Sequence, residues 1–255
     1  MNAMIEVLKT QNLSIGYNGK PLMSDINVAL NQGDIVALAG PNGAGKTTLF
    51  KTLTANIKPI SGEVFLMGKS LSAYNATERA SLFSLVLTDK PDDMFLKVFD
   101  IVAAGRYPHL GLLAKLKDND EAMVMQSLDI VGITTLAERN FISLSDGEKQ
   151  KVMIAKALAQ DTPIIFMDEP AAFLDYPSKI ELMHLMKRLS REQNKTILFS
   201  SHDLELLLRY SDQMWVVAPE KPLEVDTPKN LIDNGIIDEY FPPICAKEMF
   251  TGLIR

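Results

Sequence analysis

The nine residues GPNGAGKTT, at positions 40–48, could bind the phosphates of a nucleotide. They follow the apolar run DIVALAG and precede helix-favouring residues. Backbone amides of such a glycine-rich turn can wrap phosphate oxygens, and the helix N-terminus adds favourable partial charge. Lys46 would reach the β and γ phosphates, and Thr47 would ligate Mg²⁺ through its hydroxyl. A simple glycine-rich turn would explain the glycines but not Lys-Thr in this context. The predicted nucleotide-contacting residues here are Gly40, Pro41, Asn42, Gly43, Ala44, Gly45, Lys46, Thr47 and Thr48.

Two further segments end apolar runs in residues suited to phosphate chemistry. IIFMDEP (164–170) would place Asp168 in the Mg²⁺ shell and Glu169 beside it as a general base for the attacking water. An acidic pair could by itself merely begin a turn. SSHD (200–203) would bring His202 to the edge of an open α/β sheet where ligands bind, so that its imidazole could contact the γ-phosphate.

The segment LSDGEKQ (144–150) stands before a long helix-favouring run. Ser145 and Glu148 have the spacing of a capping box, and an acidic first turn suits the helix dipole. An exposed helix N-terminus can also bind an anion. The segment therefore predicts a helix start and leaves open whether an anion is bound there.

The composition is that of an ordinary globular protein. The chain has 255 residues, 47% of them hydrophobic and 23% charged, which suits one large α/β domain or a core with an inserted subdomain. A net charge of −6 excludes a global basic field for gripping nucleic acid. The single cysteine excludes an internal disulfide. We find no signal peptide and no apolar run near the ~18 residues that span a bilayer, so work at a membrane would need partners.

Short apolar runs alternate with helical patterns, which predicts an α/β core with a largely parallel sheet. The predicted strands are DIVALAG (34–40), GEVFLMG (62–68), PIIFMD (163–168), TILFSS (196–201) and MWVVAP (214–219). The predicted helices are 46–55, 147–160, 178–193 and 203–210. Residues from about 89 to 145 show helical patterns without a convincing strand, which predicts a helical insert.

These motifs, in this order, resemble the nucleotide-binding subunit of ATP-binding cassette (ABC) transporters over about residues 5 to 220. The resemblance implies an α/β P-loop NTPase (RecA-like) core with a mostly parallel sheet, an antiparallel β region near the N-terminus and an inserted α-helical subdomain. The chain would be a single nucleotide-binding domain, 1–255. Its core would cover about 1–88 and 160–222, its helical subdomain about 89–159 and a C-terminal appendage about 223–255.

The resemblance also implies further site residues and partners. Tyr17 would stack on adenine, although it could simply pack at a strand end. Asp175, in AAFLD (171–175), would lie in the loop that crosses a dimer interface. Two subunits would sandwich two ATP molecules as a homodimer. Ser145 and the Gly147 amide would then reach the γ-phosphate of ATP bound to the other subunit.

This sequence departs from the family pattern at two places. The family signature is usually LSGGQ or LSGGE, and here Asp146 replaces the first glycine. Thr88 stands about where the family has a glutamine that touches Mg²⁺ and the water. Thr88 is too short to copy that reach, so its hydroxyl acts through water, or Asp89 takes part, or the coupling is altered.

The GRYPH element (105–109) resembles the helical subdomain of importers for ferric siderophores, haem and cobalamin. Alternatively, its Gly and Pro merely end a helix. The resemblance implies an ATPase at the cytoplasmic face of the cell membrane, held peripherally by polytopic permease subunits and served indirectly by a periplasmic or lipoprotein substrate-binding protein, without nucleic acid. An exporter or lipoprotein-releasing ATPase would share all the catalytic residues. A soluble ABC ATPase acting on nucleic acid or ribosomes usually has paired cassettes, long insertions or basic extensions, which this chain lacks.

Overall fold

The structure is a computed structural model and describes residues 5–87, 95–110, 115–172 and 174–242. The chain forms two compact units, a first unit of Met1–Asn75 with Met186–Arg255 and a second unit of Ala76–Leu185. The strands are β1 (Glu6–Tyr17), β2 (Lys20–Ile26), β3 (Ala29–Asn31), β4 (Ile35–Ala39), β5 (Ser61–Leu66), β6 (Lys69–Ser70), β7 (Phe83–Val86), β8 (Ile164–Met167), β9 (Thr196–Ser200), β10 (Gln213–Val216) and β11 (Glu224–Asp226). The helices are α1 (Lys46–Leu53), α2 (Ala76–Ala80), α3 (Val98–Ala103), α4 (Asp118–Ile130), α5 (Asp146–Ala159), α6 (Tyr176–Gln193), α7 (Leu204–Tyr210), α8 (Pro228–Asp233) and α9 (Ile236–Tyr240).

An antiparallel sheet in the first unit is built around β1, which pairs with β2, β3 and β5. The register between β1 and β5 shifts between Gln11 and Ser14, and Asn12 there has a φ of 46°. Such an irregularity bends the strand and breaks the strict alternation of its side chains. The predicted antiparallel region near the N-terminus is confirmed, and β5, predicted as a strand, belongs to it.

Parallel strands form the other sheet of the first unit. β4 pairs in parallel with both β10 and β9, and β11 runs antiparallel to β10. Every residue of β4 and β9 is buried. Strands covered on both faces need apolar residues throughout rather than at alternate positions, which is why these runs were recognisable from sequence.

The second unit combines the parallel pair β7 and β8 with packed helices. Phe83 and Phe166, on these two strands, meet edge to face with their ring centroids 5.5 Å apart. Helices α3, α4 and α5 pack on one another through buried aliphatic side chains such as Val102, Leu128 and Val152. The predicted α/β fold class is confirmed, whereas the predicted boundaries of one nucleotide-binding domain stay a prediction. No helix in the described parts of the chain is long and apolar enough to cross a bilayer.

The GRYPH element continues α3 as a 3-10 helix, Ala104–His109, and binds the last turn of α5. The Arg106 guanidinium donates to the Ala159 carbonyl at 2.6 Å. Nε2 of His109 lies 2.8 Å from the Gln160 carbonyl oxygen, to which it donates. These carbonyls are among those that a helix C-terminus leaves without a partner inside the helix. The element therefore does more than end α3.

Arg106 also forms a buried ion pair with Asp120 in the first turn of α4, at 3.1 Å from Nε to Oδ1. The Lys117 amide donates to the other carboxylate oxygen at 3.1 Å. The Lys117 hydrogen bond, followed by the Arg106 guanidinium, holds the pKa of the Asp120 carboxyl below its usual value. Arg106 thereby links the end of α5 to the start of α4.

Gly105 makes this packing possible because a Cβ atom there would lie 2.3 Å from the Lys156 carbonyl oxygen. We expect Gly105→Ala to lower the free energy of unfolding by about 2 kcal/mol, since backbone must move to admit the methyl group. Urea denaturation measures the change. Gly147→Ala in α5 is the matched control, because its Cβ would meet only Leu174 Cδ2 at 3.7 Å. Equal unfolding free energies for the two variants would contradict the packing role of Gly105.

Candidate nucleotide site

The loop between β4 and α1, residues 40–45, is shaped by its glycines. Gly45 caps α1 with a φ of 97°, in the left-handed region that favours glycine. Gly40 is buried, and a Cβ there would lie 2.4 Å from the Val217 carbonyl oxygen. Asn42, Gly43 and Thr47 are exposed, while Ala44, Lys46 and Thr48 are buried. The loop thus combines a packed base with an exposed rim at the N-terminus of α1, as an anion-binding loop requires.

Lys46 supplies a positive charge inside this loop. Its side chain is buried, and Nζ donates to the carbonyl oxygens of Gly40 at 2.6 Å and Pro41 at 3.1 Å. These bonds tie the start of the loop to the start of α1. The ammonium group therefore lies where phosphate oxygens would compete for the same donors.

Tyr17 ends β1 with 51% of its surface exposed. The Thr48 hydroxyl donates to the Tyr17 hydroxyl at 3.4 Å, which brings the phenol close to α1. A ring this exposed is not explained by core packing at a strand end. The stacking role of Tyr17 on adenine stays a prediction.

His202 lies two residues beyond the end of β9 and is exposed. Leu38 on β4 stands opposite Ser200 on β9, and the two strands run parallel. Their carboxyl ends therefore meet at one edge of the sheet, where β4 leads into the loop and β9 leads to His202. This is the edge at which open α/β sheets bind ligands.

Asp168 and Glu169 lie in the second unit, immediately after β8, and both are half-buried. The Asp168 amide donates to the Val86 carbonyl at 2.9 Å, so the strand pairing continues up to the acidic pair. Glu169 has a φ of 50°, a left-handed conformation that is uncommon for a residue other than glycine. Asp161 and Asn194 share this conformation at other turns, so it orients the chain after β8 without by itself assigning a role to Glu169.

Ser145 caps α5 through the predicted capping box. Its amide donates to Oε2 of Glu148 at 2.8 Å, and its hydroxyl donates to the same oxygen at 2.8 Å. The Glu148 amide donates back to the Ser145 hydroxyl at 3.4 Å. The two bonds that Ser145 donates to the carboxylate, the amide bond first, lower the pKa of the Glu148 carboxyl. Ser145 and Asp146 are exposed, so the N-terminus of α5 is accessible as an anion site would need.

Asp175 is exposed and precedes α6, where its Oδ1 accepts a hydrogen bond from the Ser178 amide at 3.0 Å. Hydrogen bonds from the side chain and amide of Ser178 lower the pKa of the Asp175 carboxyl. Asp175 thus has a local role as a helix cap, and a role at a dimer interface stays a prediction. Thr88 and Asp89 lie outside the described residues.

The sequence interpretation missed two features near these residues. Glu148 was recognised as part of a cap, but not as the acceptor of both Ser145 donors. The buried pair of Arg106 and Asp120 was not expected either. The only sign of this pair in the sequence was a charged residue near each of two separate helix ends, and charged surface residues are common at such positions.

Comparison with known proteins identifies the family of this chain. The sequence model of the ABC transporter family matches residues 23–172. An uncharacterized ABC transporter ATP-binding protein of Methanocaldococcus jannaschii is 39% identical over 92% of this chain and 81% of its own length. The iron(3+)-hydroxamate import ATP-binding protein FhuC of Bacillus subtilis is 35% identical over 92% of this chain and 87% of its own.

Among solved structures, that of a proposed metal-chelate type ABC transporter in an inward-facing conformation is similar with a TM-score of 0.79. It is 30% identical in sequence, over 89% of this chain and 85% of that one. The resemblance predicted from the motifs is therefore confirmed. This chain belongs to the ABC transporter family, as an ATP-binding subunit whose ATP hydrolysis is coupled to transport.

Proposed function

We propose that this chain is the ATPase of an importer that takes up a ferric siderophore or a related metal complex, such as haem or cobalamin. The observation that carries this proposal is the 35% identity, over nearly the whole chain, with a protein named for iron(3+)-hydroxamate import. The similar structure of a metal-chelate type transporter supports it. The chain would act at the cytoplasmic face of the cell membrane, bound to separate polytopic permease subunits.

In this proposal the loop of residues 40–48 binds the ATP phosphates through its amides, and Lys46 turns from the Gly40 and Pro41 carbonyls to the β and γ phosphates. Tyr17 stacks on the adenine, which is typically worth ~1–3 kcal/mol for a base. Two observations support these roles. Lys46 is buried and hydrogen-bonded inside the loop, and the exposed Tyr17 ring lies beside α1.

Thr47 and Asp168 would hold Mg²⁺. Their oxygens fit this ion, which prefers hydroxyl, carboxylate and phosphate oxygen ligands. Thr47 is an exposed residue in the first turn of α1, and Asp168 is a half-buried residue directly after β8. The ion supplies neutralisation of charge on the β and γ phosphates. Thr88, which lies outside the described residues, would be a further contact.

Glu169 would polarise the attacking water as a general base, and His202 would hold that water in line with the γ-phosphate. The position of Glu169 directly after β8 and the position of His202 at the loop-bearing edge of its own sheet favour these roles. Neither residue belongs to the buried core.

The site would be completed by a second copy of the chain, whose Ser145 hydroxyl and Gly147 amide reach the γ-phosphate. Asp175 would lie at the same interface. Gly147 supports this arrangement because packing does not require it: its Cβ would have room, and glycine inside a helix costs roughly 0.5–1 kcal/mol relative to alanine. Close approach of a ligand to the backbone is a separate reason for glycine. ATP would then close the dimer, and hydrolysis would loosen it.

Glu169→Gln tests the general base. We expect ATP binding to persist, steady-state hydrolysis to fall by about a hundredfold or more, and a closed dimer to accumulate, since the amide cannot accept the proton from water. Phosphate release and sedimentation with ATP measure the two effects. Glu181→Gln, on the exposed face of α6, is the matched control. Unchanged steady-state hydrolysis in Glu169→Gln would rule out the assignment.

Gly147→Ala separates stability from function. We expect the unfolding free energy to stay the same or rise slightly, because a methyl group fits and alanine favours helix. Hydrolysis should nevertheless fall by about tenfold or more, since the methyl group would stand between the helix backbone and the partner's γ-phosphate. Full activity in this variant would argue against a contact between the Gly147 amide and the nucleotide.

Asp146→Gly restores the usual family signature. We expect ATPase activity to stay within several-fold of the parent chain, because the exposed carboxylate can point away from the γ-phosphate. Steady-state phosphate release is the measurement. A loss of orders of magnitude would mean that the acid takes part in the reaction.

The transported substrate is tested in cells that lack this chain and its close relatives. Uptake of labelled ferric siderophore, haem and cobalamin is compared after complementation with the parent chain or with Glu169→Gln. Restored uptake of one of these complexes by the parent chain alone would support the proposal. Restoration of none of them, with the permease present, would contradict it.

A further inference from the structure

Both hydrogen-bond donors of Ser145 are already bound by one oxygen of Glu148. The amide and the hydroxyl each lie 2.8 Å from Oε2. A serine hydroxyl carries a single proton, so it can donate to only one strong acceptor at a time. In the free subunit, this proton is directed at Glu148 and not toward solvent, although the serine itself is exposed.

The Glu148 carboxylate is a strong acceptor because its surroundings favour the ionised form. The Ser145 amide and hydroxyl, followed by the positive charges of Arg139 and Lys151, lower the pKa of this carboxyl. It is therefore ionised at neutral pH. Asp146 adds a second acid in the same helical turn. The end of α5 that would receive a phosphate thus already presents its own anion to the serine.

We propose that Glu148 is a positioning residue that competes with ATP for the hydroxyl proton of Ser145 and so weakens the ATP-closed dimer. The inference rests on the proposed function, in which Ser145 of one subunit binds the γ-phosphate held by the other. To make that bond the hydroxyl must leave one anion for another. The two anions then stand close together, which adds repulsion to the exchange.

The competition would make the closed dimer easier to open. A hydrogen bond from a hydroxyl to a carboxylate is stronger than one to a neutral carbonyl oxygen. Closing the dimer therefore exchanges the charge-assisted bond from Ser145 to Glu148 for one to the phosphate, so the phosphate bond stabilises the closed dimer less than it would if the hydroxyl had no competing anion. The Ser145 amide bond to Glu148 does not have to break in this exchange, so the helix keeps part of its cap in both states.

Glu148→Gln is the direct test because glutamine keeps the shape and an acceptor oxygen but removes the charge. The variant is made in the Glu169→Gln background, so that ATP is not consumed. We expect the dimer dissociation constant at saturating ATP and Mg²⁺, measured by sedimentation equilibrium, to fall by about tenfold. The unfolding temperature should fall slightly or stay unchanged, since the cap is weakened. A purely structural role would lower stability without tightening the dimer.

Two matched variants separate this effect from general electrostatics. Glu121→Gln removes one exposed charge from the first turn of α4 and should leave the dimer constant unchanged. Ser145→Ala combined with Glu148→Gln should lose the gain, because Glu148 is proposed to act through the serine hydroxyl. An equal gain with alanine at position 145, or with Glu121→Gln, would overturn the proposal.

The remaining outcomes separate a failure of the competition from a failure of the proposed function. A dimer whose constant is unchanged or weaker after Glu148→Gln would contradict the competition and leave the proposed function standing. If Glu169→Gln forms no ATP-dependent dimer at all, the proposed function fails, and the competition fails with it.

Discussion

Strands β4 and β9 lie side by side in parallel, buried along their whole length, with Leu38 opposite Ser200. Because parallel strands end at the same edge, this pairing decides where two distant parts of the chain meet. The glycine-rich loop leaves β4 at that edge, and His202 follows β9 there. The buried Lys46 and the phenol of Tyr17 are arranged around the same loop. Burial of apolar strands thus positions groups that are themselves polar.

In the second unit, helix α5 connects two groups of contacts, one at each of its ends. Its first turn is held by Ser145 and Glu148, and its last turn is bound by Arg106 and His109. Fourteen residues of helix separate these ends by about 20 Å. The element between them is a single packed helix. If Ser145 binds a phosphate as proposed, that contact and the packing of the GRYPH element would act on the two ends of one continuous helix.

Local chemistry explains why several features were predictable from the residues alone. The loop of residues 40–48, the acidic pair after β8 and the capping box each depend on neighbours a few positions apart. β1 was harder to predict as a strand, because its register shift near Asn12 breaks the alternation of buried and exposed residues by which a half-buried strand is recognised. β7 was not predicted, because the polar Ser84 interrupts its short run FSLV, whereas the equally short β8 is apolar throughout.

By itself, the sequence determined the α/β class, the nucleotide-binding motifs and the family, since these depend on residue types at short spacings. Only the tertiary structure decided how the motifs are supported. A glycine is needed at position 105 because the Lys156 carbonyl, fifty-one positions later, leaves no room for a side chain. His202 is aligned with the loop by a strand pairing that spans about 160 residues. Such contacts follow from packing and backbone hydrogen bonding between distant segments, and no local pattern records them.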